Sequence, residues 1–553
     1  MRKIGMAALA VVALAACSVD GPARAPSRCD STTETTLRAW AAAGFSGSVA
    51  IAVRGAPTCL AAYGRADDAT GAPNSVDTVF SIGSVTKAFT AAAALRLVDR
   101  GALSLDTRVR SVVPEITSTV GDATVRQLMQ HTSGLNGSHG ADREPLGREE
   151  AIAAIAAMEP AFAPGTGYVY TNAGYTLLAL IVEAVSGTGF RDFLVSNVLR
   201  LPDGDVAGGF WDGEPSAPGP RATGYLDDGR PGHRGGFPGP HWAVEGNGGL
   251  AMTTGELASW THALFTGRIV APASVDLIRG PGHDLGGGRS ETPGWVRLEE
   301  NGAVVLATAG GGGDVGHNAV VAWLPGREEV VAMASNRPEL AAEELLRRLL
   351  PALAAGDPLP APDPRPVGGG PVDPAAMGRY RLDGGGTVEV RTDGDGLVIS
   401  AGGADAVAAL LPPRPTTPDR ELRAHEERVL ALLAGRSQEG REERAAIESD
   451  LGRVTGVSPA GTVVDDGELR SYVTVEAGGR SVLAWYAVNA EGGIEGAQLP
   501  ADPPSLRFVA AAGGGYRPDD PTGTGPDVTV RFEGSRLVLL GPAGTATATR
   551  AAG

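Results

Sequence analysis

The chain has 553 residues, of which 42% are hydrophobic and 20% charged, and it carries a formal net charge of −17. That length is enough for two or three domains, each with a sizeable hydrophobic core. The acidic balance gives no overall attraction to nucleic acid or anionic lipid, which argues against nucleic-acid-binding classes.

The N-terminus has the pattern of an export signal. A basic dipeptide, Arg2-Lys3, precedes an apolar run, Ile4–Ala16, that is too short to span a bilayer. The run ends in Leu-Ala-Ala-Cys17, which resembles a bacterial lipoprotein box, and the resemblance implies cleavage before Cys17 and lipidation of its sulfur. Plain secretion with an incidental cysteine is the alternative. We therefore expect an exported protein, anchored by lipid to a membrane of the cell envelope.

Two further cysteines, Cys29 and Cys59, follow Cys17. Outside the cytoplasm two cysteines can pair, and a disulfide would tie the start of the folded chain to the second of two early strand-like segments. Two separate thiols are the alternative.

The elements up to residue 355 are predicted as strands, then helices, then strands again. Ser48–Val53 and Thr58–Tyr63 have the pattern of a β-hairpin, and a helix-rich stretch runs from Ser84 to Leu199. Leu201–Gly246 is rich in Gly and Pro and is predicted to be an irregular insertion. Three apolar strands and a closing helix follow, at Ala303–Ala307, Ala319–Leu324, Glu329–Ala334 and Leu340–Ala355. This order predicts an α+β or α/β/α sandwich.

Beyond residue 355, composition predicts a linker and a second module. The module should be mainly β, a small barrel that carries an α+β insertion at about residues 418–500, and nothing in it indicates catalysis. The predicted organisation is a signal peptide at 1–16, a tether at 17–30, a catalytic domain at 31–355, a Pro/Gly-rich linker at 356–371 and an accessory module at 372–553.

Lysine usage singles out one position. The chain has only two lysines, Lys3 and Lys87, and Lys3 lies in the predicted signal peptide. Arginine cannot lose its proton near neutral pH, whereas a buried lysine can. Lys87 follows Ser84 by three residues, so the amine can reach the hydroxyl on one helix face and act as the base that a serine nucleophile needs. The alternative is that the composition of the chain is biased against lysine and that Lys87 remains by chance.

Five segments carry motifs in a recognisable order: Phe80–Lys87, Leu97–Asp106, Gln127–Leu135, Pro164–Tyr175 and Gly248–Thr254. Together they resemble the serine β-lactamase and penicillin-binding-protein superfamily, in particular class C β-lactamases, D-Ala peptidases and related esterases. The resemblance implies a β-lactamase/transpeptidase-like fold with an antiparallel sheet, flanking helices and a helical subdomain. It also implies catalysis without a metal or another cofactor.

The resemblance also assigns roles to individual residues. Ser84 would be the nucleophile and Lys87 its proton-transfer partner, while Tyr170 would relay protons to the leaving group. Asn172 would hold Lys87 and the acyl amide of the substrate. A turn between strand and helix is the alternative explanation of the Tyr-x-Asn pattern. His131 is interpreted as structural, because the family already assigns the base role elsewhere.

The third motif of the family, Lys-Thr-Gly or His-x-Gly on a strand lining the cleft, is not matched. The stretch here is Thr308-Ala-Gly-Gly-Gly-Gly313. One alignment puts Gly310 in the place of Lys or His and Gly312 on the motif glycine, so that Gly313 would supply the second oxyanion N–H beside that of Ser84. A register that uses Thr308 is the alternative, and the cation is absent in both.

The sequence therefore predicts a serine hydrolase that cleaves an ester, amide or β-lactam bond in a small molecule or peptide. Without the cation, short acyl esters should react faster than β-lactams, whose carboxylate the family binds with that group. If penicillins were instead hydrolysed as well as esters, Arg289 or Arg297 just upstream would be the candidate to replace the cation. A catalytically degraded lipoprotein that only binds its ligand is the alternative function.

Overall fold

The chain divides into two compact units in the computed structural model. The first comprises residues 29–41 and 45–359, and the second comprises residues 360–551 together with 42–44. The structure describes residues 29–551 except 143, 227–228, 233–238, 313–314, 363–371, 373, 395, 413–418, 466–467, 490–491, 512–513, 521, 523–524 and 543. The predicted signal peptide and Cys17 lie outside the described residues.

The first unit is built on an eight-stranded antiparallel sheet. The strands of this unit are β1 (Gly47–Val53), β2 (Ala56–Tyr63), β3 (Arg65–Asp67), β4 (Ala72–Pro73), β5 (Phe80–Ser81), β6 (Gly209–Phe210), β7 (Leu250–Met252), β8 (His283–Gly286), β9 (Arg289–Thr292), β10 (Trp295–Glu300), β11 (Ala303–Gly312), β12 (His317–Leu324) and β13 (Glu329–Ser335). The large sheet has the order β2-β1-β13-β12-β11-β10-β9-β8, so the first hairpin pairs with the last strand. Strands β5, β7 and β6 form a separate small sheet behind the nucleophile turn.

Helices pack around this sheet and form a separate helical region. They are α1 (Ser31–Ala42), α2 (Thr86–Asp99), α3 (Val125–Met129), α4 (Arg148–Ala156), α5 (Asn172–Ser186), α6 (Phe190–Asn197), α7 (Thr254–Phe265), α8 (Pro272–Arg279) and α9 (Ala342–Ala355). Helix α5 is buried over ten consecutive residues, Ala173–Val182, as expected for a helix that is apolar on every side. Helix α2 packs beside it, and its run of buried alanines permits a close approach.

The predicted fold class is confirmed: an antiparallel sheet is flanked by helices, and the stretch between Ser84 and Leu199 is mainly helical. The described residues of the predicted insertion at Leu201–Gly246 contain one two-residue strand, β6, and are otherwise irregular, as the Gly and Pro content suggests. Among the described residues no single helix is long and apolar enough to span a membrane. Helices α5 and α6 together reach the length and apolar composition of a membrane span, and the two are bent by 80° relative to each other.

A disulfide lies at the beginning of the described chain. The sulfur of Cys29 is bonded to that of Cys59 in strand β2, 30 residues further along the chain. The segment that leads into α1 is thereby fixed to the edge strand of the large sheet.

The second unit contains a closed β-barrel. Its strands are β14 (Gly378–Leu382), β15 (Thr387–Asp393), β16 (Gly396–Gly402), β21 (Ser505–Ala510), β22 (Tyr516–Pro518), β23 (Thr529–Glu533), β24 (Arg536–Gly541) and β25 (Gly544–Arg550). An insertion between β16 and β21 comprises α10 (Ala404–Leu410), α11 (Asp419–Leu433), α12 (Gln438–Leu451), β17 (Val454–Asp465), β18 (Glu468–Ala477), β19 (Arg480–Val488) and β20 (Ile494–Gln498). Alternating apolar residues of the barrel strands are buried, so side chains fill its core.

Candidate active site

Ser84 lies in a tight turn immediately before helix α2. Gly83–Val85 form one turn of 3-10 helix, and Gly83 has a positive φ of 48°, which glycine adopts without strain. The regular helix begins at Thr86, two residues later than the sequence pattern predicts. Ser84 therefore stands at the N-terminal end of the helix, where unpaired N–H groups and the helix dipole favour negative charge.

Lys87 is buried directly behind Ser84. The residue is 3% exposed, and its Nζ lies 2.9 Å from Ser84 Oγ, 2.8 Å from Asn172 Oδ1 and 3.1 Å from the backbone oxygen of Asn247. An amide oxygen and a carbonyl can only accept hydrogen bonds. When Lys87 is neutral, its two N–H groups are therefore used by Asn172 and Asn247, and its lone pair faces Ser84.

Burial favours this neutral form, because it removes the water that would solvate the ammonium form of Lys87. The rings of Tyr170 and Tyr175 flank the amine, with centroids 4.8 and 5.8 Å from Nζ. Burial lowers the pKa of Lys87 to about 7, although the negative charges of Glu291 and Asp142 oppose this shift. Lysine is thus available as a proton acceptor once the pH rises through about 7.

Tyr170 approaches the nucleophile from the other side. Its hydroxyl donates a hydrogen bond of 2.8 Å to Ser84 Oγ, although half of the residue is exposed. Burial around the hydroxyl raises the pKa of Tyr170 to about 12, so the group is a phenol at neutral pH. Ser84 Oγ can therefore accept from Tyr170 and present its own proton to Lys87.

His131 supports the segment that carries Tyr170 and Asn172. Its Nδ1 accepts a hydrogen bond of 3.2 Å from the backbone N–H of Thr171, and its ring lies 4.4 Å from that of Tyr170. Burial lowers the pKa of His131 well below its ordinary value, so the imidazole is neutral. His131 thus supports the segment that carries Tyr170, in line with the structural role inferred from the sequence.

Strand β11 passes close to the nucleophile turn at Gly310. A Cβ atom there would lie 2.4 Å from the backbone N of Ser84 and 2.2 Å from the backbone O of Ile82, so the position has room only for glycine. Among the described residues, a Cβ atom at Gly311 would meet nothing closer than the side chain of Asn318 at 3.8 Å. Gly310 therefore packs directly against the nucleophile turn, and a lysine or histidine cannot occupy this position.

This packing decides between the two registers that the sequence left open. With Gly310 as the motif glycine, Thr308 lies two residues earlier on the same face of the strand and stands at the cation position. Gly311 follows the motif glycine and lines the cavity together with Ser84. Its backbone N–H is thus the candidate for the second oxyanion donor.

The sequence-based choice of Gly312 as the motif glycine is corrected accordingly. Gly312 pairs with His317 at the end of β11, and Gly313 lies outside the described residues. The error has a physical origin: four consecutive glycines have no side-chain pattern that could fix the register of a strand.

The basic residues near the third motif do not replace its cation in the described cavity. His317 Nδ1 accepts a hydrogen bond of 3.0 Å from the backbone N–H of Ser81, and burial lowers the pKa of His317 to about 4, so it is neutral. Arg297 forms an ion pair of 3.1 Å with Glu299 on β10. Neither Arg297 nor Arg289 is among the described residues that line the cavity.

The cavity opens in front of Ser84, and its described walls are acidic. The charged side chains among its described lining residues are Asp142 and Asp212, and Trp211 supplies an aromatic surface. No lysine or arginine belongs to that described lining. Among the residues that the structure describes, no group of three His, Cys, Asp or Glu side chains is placed to bind a metal ion.

A buried ion pair that the sequence did not reveal holds two walls of this cavity. Arg191 Nε donates to Glu245 Oε1 at 2.8 Å, and its Nη1 donates to the backbone O of Asp212 at 2.6 Å. Glu245 precedes Asn247, whose carbonyl binds Lys87. The neighbouring Gly248-Gly-Leu landmark indicated this segment, but a contribution made by a backbone carbonyl leaves no signature in the side chains.

Comparison with known proteins adds the following findings. A family model described as Beta-lactamase matches residues 37–356. The chain is 34% identical to Esterase EstB of Burkholderia gladioli over 181 residues, which cover 28% of this chain and 46% of that protein. It is 37% identical to Penicillin-binding protein 4 of Amycolatopsis lactamdurans over 137 residues, which cover 23% and 34%. The chain thus spans less than half the length of either relative.

More than one solved structure resembles nearly the whole chain. The octameric penicillin-binding protein homologue from Pyrococcus abyssi matches with a TM-score of 0.51 and 19% identity, over 93% of this chain and 99% of that one. At this level of identity the likeness shows the fold alone.

The register of β11 can be tested with a matched pair of variants. Gly310→Ala should slow the reaction of Ser84 with a fluorophosphonate about a hundredfold, because a displacement of about 1 Å beside the reacting atoms has an effect of that size. Gly311→Ala keeps the backbone N–H and has space for the methyl group, so it should stay close to the wild type. Equal reactivity of the two variants would contradict the assigned register.

Proposed function

The chain belongs to the beta-lactamase family, and from this we propose that it is a serine hydrolase that forms an acyl-enzyme on Ser84. The observation that carries the proposal is the placement of two proton-transfer groups on one oxygen. Lys87 Nζ lies 2.9 Å and the Tyr170 hydroxyl 2.8 Å from Ser84 Oγ. A binding module without catalysis would not require a buried, uncharged amine at this position, so we do not propose that alternative.

Acylation begins with transfer of the Ser84 proton to Lys87. Neutral Lys87 takes the proton as Ser84 Oγ attacks the carbonyl carbon of the substrate. The carbonyl oxygen becomes negatively charged, and the backbone N–H groups of Ser84 and Gly311 are the proposed donors to it. When the tetrahedral intermediate collapses, Tyr170 gives a proton to the leaving group and is reprotonated from Lys87. Water then releases the acyl group by the reverse sequence.

We further propose that the preferred substrates are neutral acyl esters. A penicillin or a D-Ala-D-Ala peptide carries a carboxylate beside the scissile bond. The charged residues in the described lining of the cavity are Asp142 and Asp212, and that lining contains no basic side chain. An ester needs only the nucleophile, its two proton-transfer partners and the oxyanion donors.

Export and lipid anchoring at Cys17 are also proposals. They are supported by the sequence pattern at residues 2–17, a basic start followed by an apolar run that ends at the cysteine. A chain attached through more than one acyl group would be held stably at a membrane surface.

The proposed reaction predicts selective labelling at Ser84. A fluorophosphonate should add a single phosphonyl group to the wild type, and peptide mass spectrometry should locate it on Ser84. Lys87→Arg places a permanent positive charge at this position and cannot accept the proton, so labelling and ester hydrolysis should fall by about two to four orders of magnitude. A folded Lys87→Arg variant that hydrolyses esters at the wild-type rate would refute the base role.

The substrate proposal predicts a ratio of rates. The wild type should hydrolyse p-nitrophenyl acetate with a higher kcat/KM than benzylpenicillin, because a charge-assisted hydrogen bond to the carboxylate is worth about 1.5–3 kcal/mol, or about one to two decades in rate. Thr308→Lys should raise penicillin turnover relative to ester turnover, and Thr308→Met controls for the added length. A wild type that prefers penicillin would contradict the proposal.

The anchoring proposal predicts a change in partition. The wild type, expressed in a bacterial host, should enter the detergent phase of a Triton X-114 extraction and carry acyl mass on an N-terminal Cys17. Cys17→Ser should stay in the aqueous phase. A wild-type chain that is aqueous and begins at another residue would rule out lipidation.

A further inference from the structure

A buried carboxyl group close to the site belongs to no motif. Glu291 lies in strand β9 and is 6% exposed. Its Oε2 accepts a hydrogen bond of 3.1 Å from the hydroxyl of Tyr168. Tyr168 precedes Tyr170 by two residues, so this bond ties strand β9 to the segment that delivers the proton-relay hydroxyl. A buried carboxyl near a reacting group is the kind of group that tunes proton transfer.

The hairpin that carries Glu291 packs against the nucleophile helix. At Gly294, between β9 and β10, a Cβ atom would lie 2.6 Å from Cα of Ala88 and 3.0 Å from the backbone O of Lys87. The hairpin that carries the carboxyl is therefore held directly against the backbone of α2 at Lys87.

Several titratable groups face this carboxyl from the elements around it. They are Lys87 from α2, Tyr168 and Tyr170 from the segment before α5, Tyr175 from α5, Arg289 from its own strand, His283 from β8 and, behind Tyr168, His131. Of these, Lys87 and Arg289 carry the positive charges that act on Glu291. The charge of Glu291 acts on Lys87 in return, and it is the first of the charges that oppose deprotonation of the amine.

Burial raises the pKa of Glu291 to about 7, against the opposing effects of the Tyr168 hydrogen bond, Lys87 and Arg289. Burial lowers the pKa of Lys87 to about 7 as well. The carboxyl and the amine therefore titrate over the same range, and the charge on each depends on the other.

We propose that Glu291 is a positioning residue for proton transfer: its carboxylate holds the proton on Lys87 and so sets the lower pH limit at which Ser84 can react. The inference rests on the proposed function for its catalytic consequence. The effect on the lysine is a property of the folded chain and can be measured without turnover.

The sign of the effect follows from the charges. A carboxylate near an ammonium group favours the ammonium form, so removal of the carboxylate should release the proton from Lys87 at a lower pH. In Glu291→Gln the titration midpoint of Lys87 should fall by about one unit. Neutral lysine would then be available in more acidic solution, and the acidic limb of the pH profile would move in the same direction.

The test uses the scarcity of lysine in this chain. Only Lys3 and Lys87 would give signals in protein labelled with 13C at lysine Cε, and Lys87→Arg identifies the signal of the buried one. The full-length wild type and Glu291→Gln are titrated by NMR, and the midpoint of Lys87 is compared. Glu299→Gln is the matched control, because it removes the same charge from an exposed position on the neighbouring strand β10.

Tyr168→Phe provides a second variant if Glu291→Gln does not fold. It removes the hydrogen bond that favours the carboxylate, raises the pKa of Glu291 and should lower the midpoint of Lys87 by a smaller amount in the same direction. An unchanged or higher midpoint in the folded variants, or an equal shift in Glu299→Gln, would overturn the inference.

Rates measured on the same proteins separate this inference from the proposed function. If the acidic limb of the pH profile of fluorophosphonate labelling shifts together with the NMR midpoint of Lys87, the proposed function and the coupling are both supported. A shifted midpoint in a chain whose Ser84 is never labelled would refute the proposed function and support the coupling. Labelling with identical pH profiles and midpoints in wild type and Glu291→Gln would refute the coupling alone.

Discussion

The site depends on keeping one amine uncharged inside the protein. A buried ammonium group without compensation costs several kcal/mol, and the simplest way to avoid that cost is to give up the proton. The groups that enclose Lys87, which include Tyr170, Tyr175, Asn172 and Asn247, exclude the water that would solvate an ammonium group, and this burial lowers the pKa of Lys87 to about 7. These groups come from distant parts of the chain, so the fold itself creates the proton acceptor.

The parts of the site that the sequence predicts are those within one local element or one short motif. Ser84 and Lys87 are three residues apart, so a single helical turn fixes their distance. Tyr170 and Asn172 share one segment at the beginning of α5, and both contact the first pair. Five of the eight strands of the sheet, β1, β2, β11, β12 and β13, could be predicted for a similar reason, because each contains an apolar run. Strands β8, β9 and β10 contain no such run and were not predicted.

The features that the sequence did not predict depend on packing between distant segments. The register of β11 is set by the contact of Gly310 with the nucleophile turn, and a run of glycines contains no trace of it. The contact of Asn247 with Lys87 is made by a backbone carbonyl. Nothing in the sequence distinguishes Glu291 from other acidic residues, and its burial depends on the packing of its hairpin against α2. Each of these features reverses or refines an expectation only once the tertiary structure is known.

The bond between Cys29 and Cys59 also determines how the first unit would respond to mechanical load. A force applied to the chain before Cys29 passes through the two sulfur atoms into strand β2 and does not travel along the backbone through α1. Strand β2 is paired with β1, and β1 with β13, so the load is shared by the hydrogen bonds of the large sheet. A domain held at its N-terminus on a moving surface would therefore keep helix α1 out of the line of tension.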